Sequence, residues 1–165
     1  MKITELTEGI ARPYPTERKV ANSFKSKYVK SLFKADSGIT YELTLSIKTV
    51  DGVVIGRVMF VAEGNNEFDL IMGTDAFRDK FGMQNDPRVL STIISELKDM
   101  LVQEKVEVIG YSASDWRLSR FYDAVVGRMA KSLNFKTVFS EGLERVLAKE
   151  SVDVTDEIIS KALRF

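Results

Sequence analysis

The sequence predicts an α+β domain, and three observations carry that prediction. Ile39, Tyr41, Leu43, Leu45 and Ile47 alternate with Thr40, Glu42, Thr44, Ser46 and Lys48, the period of two expected of a strand with one buried face. Residues 53–62 (VVIGRVMFVA) then form an apolar run suited to a central strand covered on both faces. Further on, two apolar stripes at helical spacing flank another apolar run at 106–111. Strand and helix signals mixed within one small chain define the class.

At 165 residues and 18.6 kDa the chain is expected to form one domain with a sizeable core. Lys and Arg total 24, as do Asp and Glu, so no net field pulls the chain toward nucleic acid or an anionic membrane. The absence of cysteine excludes disulfides, thiolate nucleophiles and zinc–cysteine sites. The absence of histidine excludes a Ser-His-Asp triad and His-ligated metals, and no metal site is expected. Any catalysis falls to carboxylates, Lys, Tyr, backbone amides or a cofactor. The opening MKITEL is too polar for a signal peptide, and no apolar run approaches the ~20 residues of a membrane span. A cytoplasmic protein without membrane contact is the expectation.

Residues 1–26 read as an N-terminal arm, with Pro13 and Pro15 around Tyr14 favouring an extended or turn conformation. Residues 11–36 hold Arg12, Arg18, Lys19, Lys25, Lys27, Lys30 and Lys34 against Glu17 and Asp36. This segment reads either as a basic arm that touches phosphates or as a solvated face. A strand is expected at about 27–35, although Val20, Phe24 and Tyr28 also fit a helical stripe leading into it. Asp36-Ser37-Gly38 and Asp51-Gly52 mark hairpin turns around the alternating strand. Gly64-Asn65-Asn66 turns the chain into FDLIMG at 67–73, completing an expected four-strand antiparallel meander.

The helical part follows. A short helix is expected at 75–82, with Asp75 as N-cap and Gly82 as terminator. Asp86-Pro87 opens a long helix with the stripe Val89, Leu90, Ile93, Ile94, Leu97, Met100 and Leu101. The run Val106–Tyr111 is a strand. Ser114 or Asp115 caps the next helix, whose stripe is Leu118, Phe121, Tyr122, Val125, Val126, Met129 and Leu133. A short strand at about 136–140 and a helix from about Thr155 finish the chain, leaving 141–165 as a C-terminal extension to a core at 27–140.

An antiparallel meander followed by helix, strand, helix, strand and a C-terminal helix resembles the GNAT superfamily of acyl-CoA-dependent N-acyltransferases, over about residues 27–140. In that family the fifth strand and the next helix often read Asn-x-x-Ala-x-x-Leu-Tyr, and the same spacing here gives Asp115, Leu118, Phe121 and Tyr122. The resemblance implies acetyl-CoA in a cleft between strands at 67–73 and 106–112, with Tyr122 donating a proton to the departing thiolate. Glu63 and Glu67 flank the turn beside the fourth strand and are the nearby carboxylates for a general base, with Glu67 the candidate; both also read as solubilising turn residues. Gly82, Asp115, Ser119 and Arg120 are the cofactor-side candidates. The "SRFY" of Ser119, Arg120 and Tyr122 is similar to a helix of small tailed-phage proteins, which implies a phage-encoded protein of the host cytoplasm or virion.

The departures from that family are specific. Its pyrophosphate loop reads Gln/Arg-x-x-Gly-x-Gly/Ala and presents backbone N–H groups at a helix start. Residues 74–86 read TDAFRDKFGMQND, with Gly82 as the one glycine and Asp86 setting a negative charge at the helix start. Asp115 stands where the family has Asn. Each candidate also has a plainer reading: Tyr122 as a core tyrosine, Arg120 as half of an ion pair with a neighbouring helix, and Trp116 as a partner anchor or a cap on the sheet edge. The leading expectation is therefore a non-catalytic GNAT-like protein with no cofactor, acting as a protein-interaction or virion-assembly module through a protein partner or self-assembly. The alternative is an acetyl-CoA-dependent N-acyltransferase using Tyr122. A nucleic-acid-binding module using the basic 11–36 segment is third.

Overall fold

The computed structural model describes residues 12–63, 87–113 and 116–164. Seven strands form one mixed sheet: β1 (Glu17–Asn22), β2 (Lys27–Lys34), β3 (Thr40–Val50), β4 (Val53–Glu63), β5 (Val108–Ser112), β6 (Phe135–Glu141) and β7 (Glu144–Lys149). The three helices are α1 (Pro87–Gln103), α2 (Trp116–Leu133) and α3 (Asp156–Leu163). The sheet order is β1-β2-β3-β4-β5-β7-β6, antiparallel except between β4 and β5. The α+β class is as the sequence predicts.

The hairpin turns form where their residues place them. Asp51 and Gly52 both take positive φ, 51° and 77°, which joins Val50 to Val53 by a two-residue turn. Gly38, at φ 89°, donates its N–H to the Ala35 carbonyl (2.9 Å) and closes the β2–β3 turn. The helical alternative before β2 does not form. Residues 17–22 pair with β2 as an edge strand, the Ser23 N–H donates to the Ser26 carbonyl (2.8 Å), and Val20 and Phe24 stay exposed. A stripe of three apolar residues with nothing to bury against loses to a backbone ladder with β2. The meander of the described residues is thus β1–β4; the expected strand at 67–73 and helix at 75–82 lie outside the described residues.

Both long helices end on a residue in the left-handed region. Lys105 (φ 53°) follows α1, with its N–H to the Val102 carbonyl (3.2 Å) and the Val106 N–H to the Leu101 carbonyl (3.1 Å). These two bonds satisfy helix-end carbonyls and turn the chain into β5. Asn134 (φ 63°) follows α2 and leads into β6. The C-terminal segment is part of the sheet: Gly142 (φ 56°) turns β6 into β7, and β7 lies between β5 and β6.

Helices α1 and α2 cover one face of the sheet and α3 covers part of the other. On the first face an aromatic ladder runs from the arm across three strands, Tyr14 to Phe33 (6.0 Å), Phe33 to Tyr41 (5.2 Å) and Tyr41 to Phe60 (5.8 Å), with rings within 19° of parallel. The arm before β1 is held there too: the Tyr14 N–H donates to Thr92 Oγ1 (2.8 Å), and the Arg88 guanidinium lies 3.8 Å from the Tyr14 ring centroid. On the second face Ile158, Ala162 and Leu163 of α3 pack with Ile55, Val108, Val146 and Ala148. Gly110 makes this approach feasible, because a Cβ there would stand 2.1 Å from the Ala162 carbonyl oxygen. Thr155 caps α3 by accepting from the Ile158 N–H (3.2 Å).

Candidate functional site

Parallel pairing between β4 and β5 is brief. Ile55, Gly56 and Arg57 oppose Val108, Ile109 and Gly110, after which, among the described residues, β4 continues paired to β3 and β5 to β7. Among the described residues the two strands therefore stop pairing beyond Arg57 and Gly110, and β4 keeps an edge without a ladder partner there. A backbone N–H on such an edge needs an acceptor. The Phe60 N–H finds one in the Tyr122 hydroxyl, at 2.9 Å, so a side chain from α2 stands where a neighbouring strand's carbonyl would otherwise stand.

Tyr122 is buried, and its ring lies 5.5 Å from that of Tyr111 at 31°. Burial pushes its phenol above the ordinary tyrosine range; the hydrogen bond from Phe60 and the charge of Arg57 act in the opposite direction and are outweighed. Tyr111 donates its hydroxyl to Asp123 Oδ1 (2.5 Å), and Arg145 Nε lies 3.7 Å from the same oxygen. Burial and the Asp123 charge raise the Tyr111 phenol strongly. Arg145 itself is held by the Gly142 carbonyl (2.6 Å) and the Glu144 carbonyl (2.9 Å). The β6–β7 turn thus anchors the row Arg145, Asp123, Tyr111, and that row braces Tyr122.

One turn before Tyr122 on the same helix, Ser119 is 1 % exposed and its hydroxyl has no hydrogen-bond partner among the described residues. A buried hydroxyl in that state costs about 1–3 kcal/mol. Arg120 is exposed and makes no ion pair among the described residues. Trp116 is 62 % exposed at the start of α2. Glu63 closes β4 opposite Thr40. Glu67, Gly82 and Asp115 lie outside the described residues. The structure thus brings Ser119 and Tyr122 to one side of α2 and leaves Arg120 outside. Tyr111, Asp123 and Arg145 escaped the sequence reading. Tyr111 looked like the last apolar residue of a strand, and nothing in the spacing joined it to Asp123 or to a strand at 144–149.

The basic segment is largely occupied. Arg18 bridges Glu96 (2.8 Å) and Asp99 (3.1 Å) on α1, Lys27 meets Glu104 (2.8 Å), and Lys30 meets Glu42 (3.3 Å). Glu96 also accepts from Ser31 Oγ (2.5 Å). Burial alone would raise the Glu96 carboxyl, but hydrogen bonds from Ser31, Arg18 and Thr16 and the charge of Arg18 hold it below the usual value. At the opposite end of the sheet an open groove of about 480 Å³ is lined by Leu101, Lys105, Glu107, Leu133, Phe135 and Lys149. Among the described residues no three acidic side chains converge as metal ligands, and no helix is long and apolar enough to cross a membrane. Comparison with protein families, curated proteins and solved structures finds no match to this chain.

Proposed function

We propose that the chain is a GNAT-like scaffold that acts by binding a partner rather than by acyl transfer. The observation that carries this reading is the Phe60 N–H, which faces the β4–β5 gap and is already taken by the Tyr122 hydroxyl. In the family that the sequence resembles, acyl-CoA enters the cleft where such a strand splays from its neighbour. Here the place is filled by a buried phenol wedged against Tyr111. The likeness of scaffold is supported by the brief β4–β5 parallel pairing, the strand order and the position of Tyr122. The sequence at 74–86 supports the absence of acyl transfer, since it carries an acid where the family has a phosphate-binding loop. The "SRFY" spacing supports a phage protein, with a role in assembly through a protein partner or a second copy.

A thermal-shift titration with acetyl-CoA tests the reading. An unchanged melting temperature up to millimolar ligand is expected. A ligand-dependent rise, about 2.7 kcal/mol of stabilisation at a hundred times the dissociation constant, overturns it in favour of an acetyl-CoA-dependent enzyme. In that case Tyr122→Phe has to abolish transfer while binding persists. Light scattering after size exclusion then reads the partner side, where a complex or a defined oligomer is the expected result.

A further inference from the structure

The sheet ends in β1 on one side and β6 on the other, and the two edges are built differently. At β6 the ladder slips between Thr137 and Phe139, so Val138 is an extra residue opposite β7, and Lys136 stands exposed beside it. A bulge and a lysine are common means of blunting an edge. In β1 there is no such irregularity, and Glu17–Asn22 pair with β2 in one continuous register. Among the described residues no strand lies on its outer side. Val20 is 56 % exposed on this edge, and Phe24, at the tip of the hairpin into β2, is 98 % exposed.

The phase of the β1–β2 ladder fixes which backbone groups are open. The Ser23 N–H donates to the Ser26 carbonyl (2.8 Å), so these two residues form a hydrogen-bonded pair. Hydrogen-bonded and non-hydrogen-bonded pairs alternate along an antiparallel ladder. Counting back along the register, Ala21 with Tyr28, Lys19 with Lys30 and Glu17 with Leu32 are the hydrogen-bonded pairs. Arg18, Val20 and Asn22 therefore aim their N–H and C=O groups away from β2. A flat row of donors and acceptors of this kind is a template for another strand.

We propose that β1 pairs antiparallel with β1 of a second copy, about a two-fold axis at Val20, so that two sheets join edge to edge. In this register Val20 faces Val20 and Arg18 faces Asn22, and all three open residues of each strand exchange both hydrogen bonds. An axis at Lys19 would leave Asn22 without a partner and set Lys19 against Lys19, while an axis at Ala21 would put Arg18 opposite the hairpin tip. With the axis at Val20, Lys19 meets Ala21 and no like charges stand opposite one another. Arg18 is already neutralised by Glu96 (2.8 Å) and Asp99 (3.1 Å). The same register sets Phe24 opposite Thr16 of the second copy, next to its exposed Pro15. This self-matching of one short strand favours a second copy over a strand of another protein. The inference rests on the binding reading above, in taking recognition of a partner as the role of the chain.

Sedimentation of the full chain over a range of concentrations tests it. A reversible dimer of twice 18.6 kDa is expected, favoured at high concentration because the contact is small. Val20→Pro removes an outward N–H and leaves the β1–β2 bonds in place, so it should weaken the dimer by about tenfold or more. The chain has no cysteine, so Val20→Cys introduces a single thiol. Across the axis the two Cα atoms of a hydrogen-bonded pair stand about 5.5 Å apart, within reach of a disulfide. Mild oxidation should therefore give a covalent dimer of Val20→Cys, whereas Val138→Cys on β6 should stay monomeric. Melting curves establish that each variant is folded. A monomer at every concentration overturns the proposal, as does an undiminished dimer in Val20→Pro. Crosslinking of Val138→Cys as fast as that of Val20→Cys overturns it too. The acetyl-CoA titration is read separately: a dimer whose melting temperature rises with acetyl-CoA overturns the binding reading and keeps this contact, and a monomer with a flat titration does the reverse.

Discussion

The sheet face away from α1 and α2 is two different surfaces joined at β4. Over β5 and β7 it is apolar, and Gly110 lets the backbone of α3 descend onto it. Over β2 and β3 it is polar, with Thr44 and Ser46 low between Tyr28, Lys30, Arg57 and Met59. The same strands are uniform on the other side, where Tyr41, Leu43, Leu45 and Ile47 all enter the core. One half under α3 and one half that no described helix covers therefore share a continuous inner core. The difference teaches that cover on a sheet is decided residue by residue: an apolar row with a glycine accepts a helix, and a row of small polar residues between long ones does not.

The largest effect is expected on the shared inner side. Tyr41→Ala removes the middle of the aromatic ladder and should cost about 3–5 kcal/mol in denaturant unfolding. A smaller loss would mean that the inner core is not common to both halves. Gly110→Ala drives a methyl group into the Ala162 carbonyl and should cost about 1–3 kcal/mol, with hydrogen exchange rising in α3 and little change in β1–β3. Exchange rising equally across the sheet would erase the distinction between the halves.

Tyr122→Phe, at the gap on the inner side, leaves the Phe60 N–H without its acceptor at unchanged shape and should cost about 1–2 kcal/mol. Glu96→Gln probes the far edge, where α1 clamps β1 and β2. Because the Glu96 carboxyl is held below its ordinary value, it contributes stability above the unfolded-state pKa of about 4.3 and loses that contribution as pH falls through its lower folded value. The wild type should therefore lose stability more steeply below about pH 4.3 than Glu96→Gln, as read from melting temperature against pH. Identical profiles would detach this clamp from the fold's acid sensitivity. Ser46→Ala, on the half that no described helix covers, should stay within about 0.5 kcal/mol; a larger change would show that this half depends on its small polar residues.

Much of the fold was legible because its signals are local. The alternation of 39–48, the Asp51-Gly52 turn and the stripes of α1 and α2 each depend on residues within a few positions of one another, and the chain forms them as read. Edge elements were not legible. The residues of β1 alternate weakly because both of its faces are largely exposed, and Val20 offered an equally good helical reading. The strand β7 was missed because a six-residue segment in the middle of a sheet, Glu144–Lys149, carries no signal of its own beyond Val146, Leu147 and Ala148. The site was legible only at Ser119 and Tyr122, whose helical spacing puts them on one face.

By itself, then, the sequence determined the class, the long helices, the hairpin turns and the exclusion of histidine and cysteine chemistry, all properties of composition or of short-range periodicity. Only the tertiary structure decided that β4 takes β5 as its parallel neighbour for a few residues and then parts from it. It alone placed the Tyr122 hydroxyl on the Phe60 N–H, 62 positions apart, and Arg145 beside Asp123. It also turned the basic segment into ion pairs, with α1 through Arg18 and Lys27 and with β3 through Lys30. Those contacts join residues far apart in the chain, and their partners are selected by packing geometry, which no local pattern encodes.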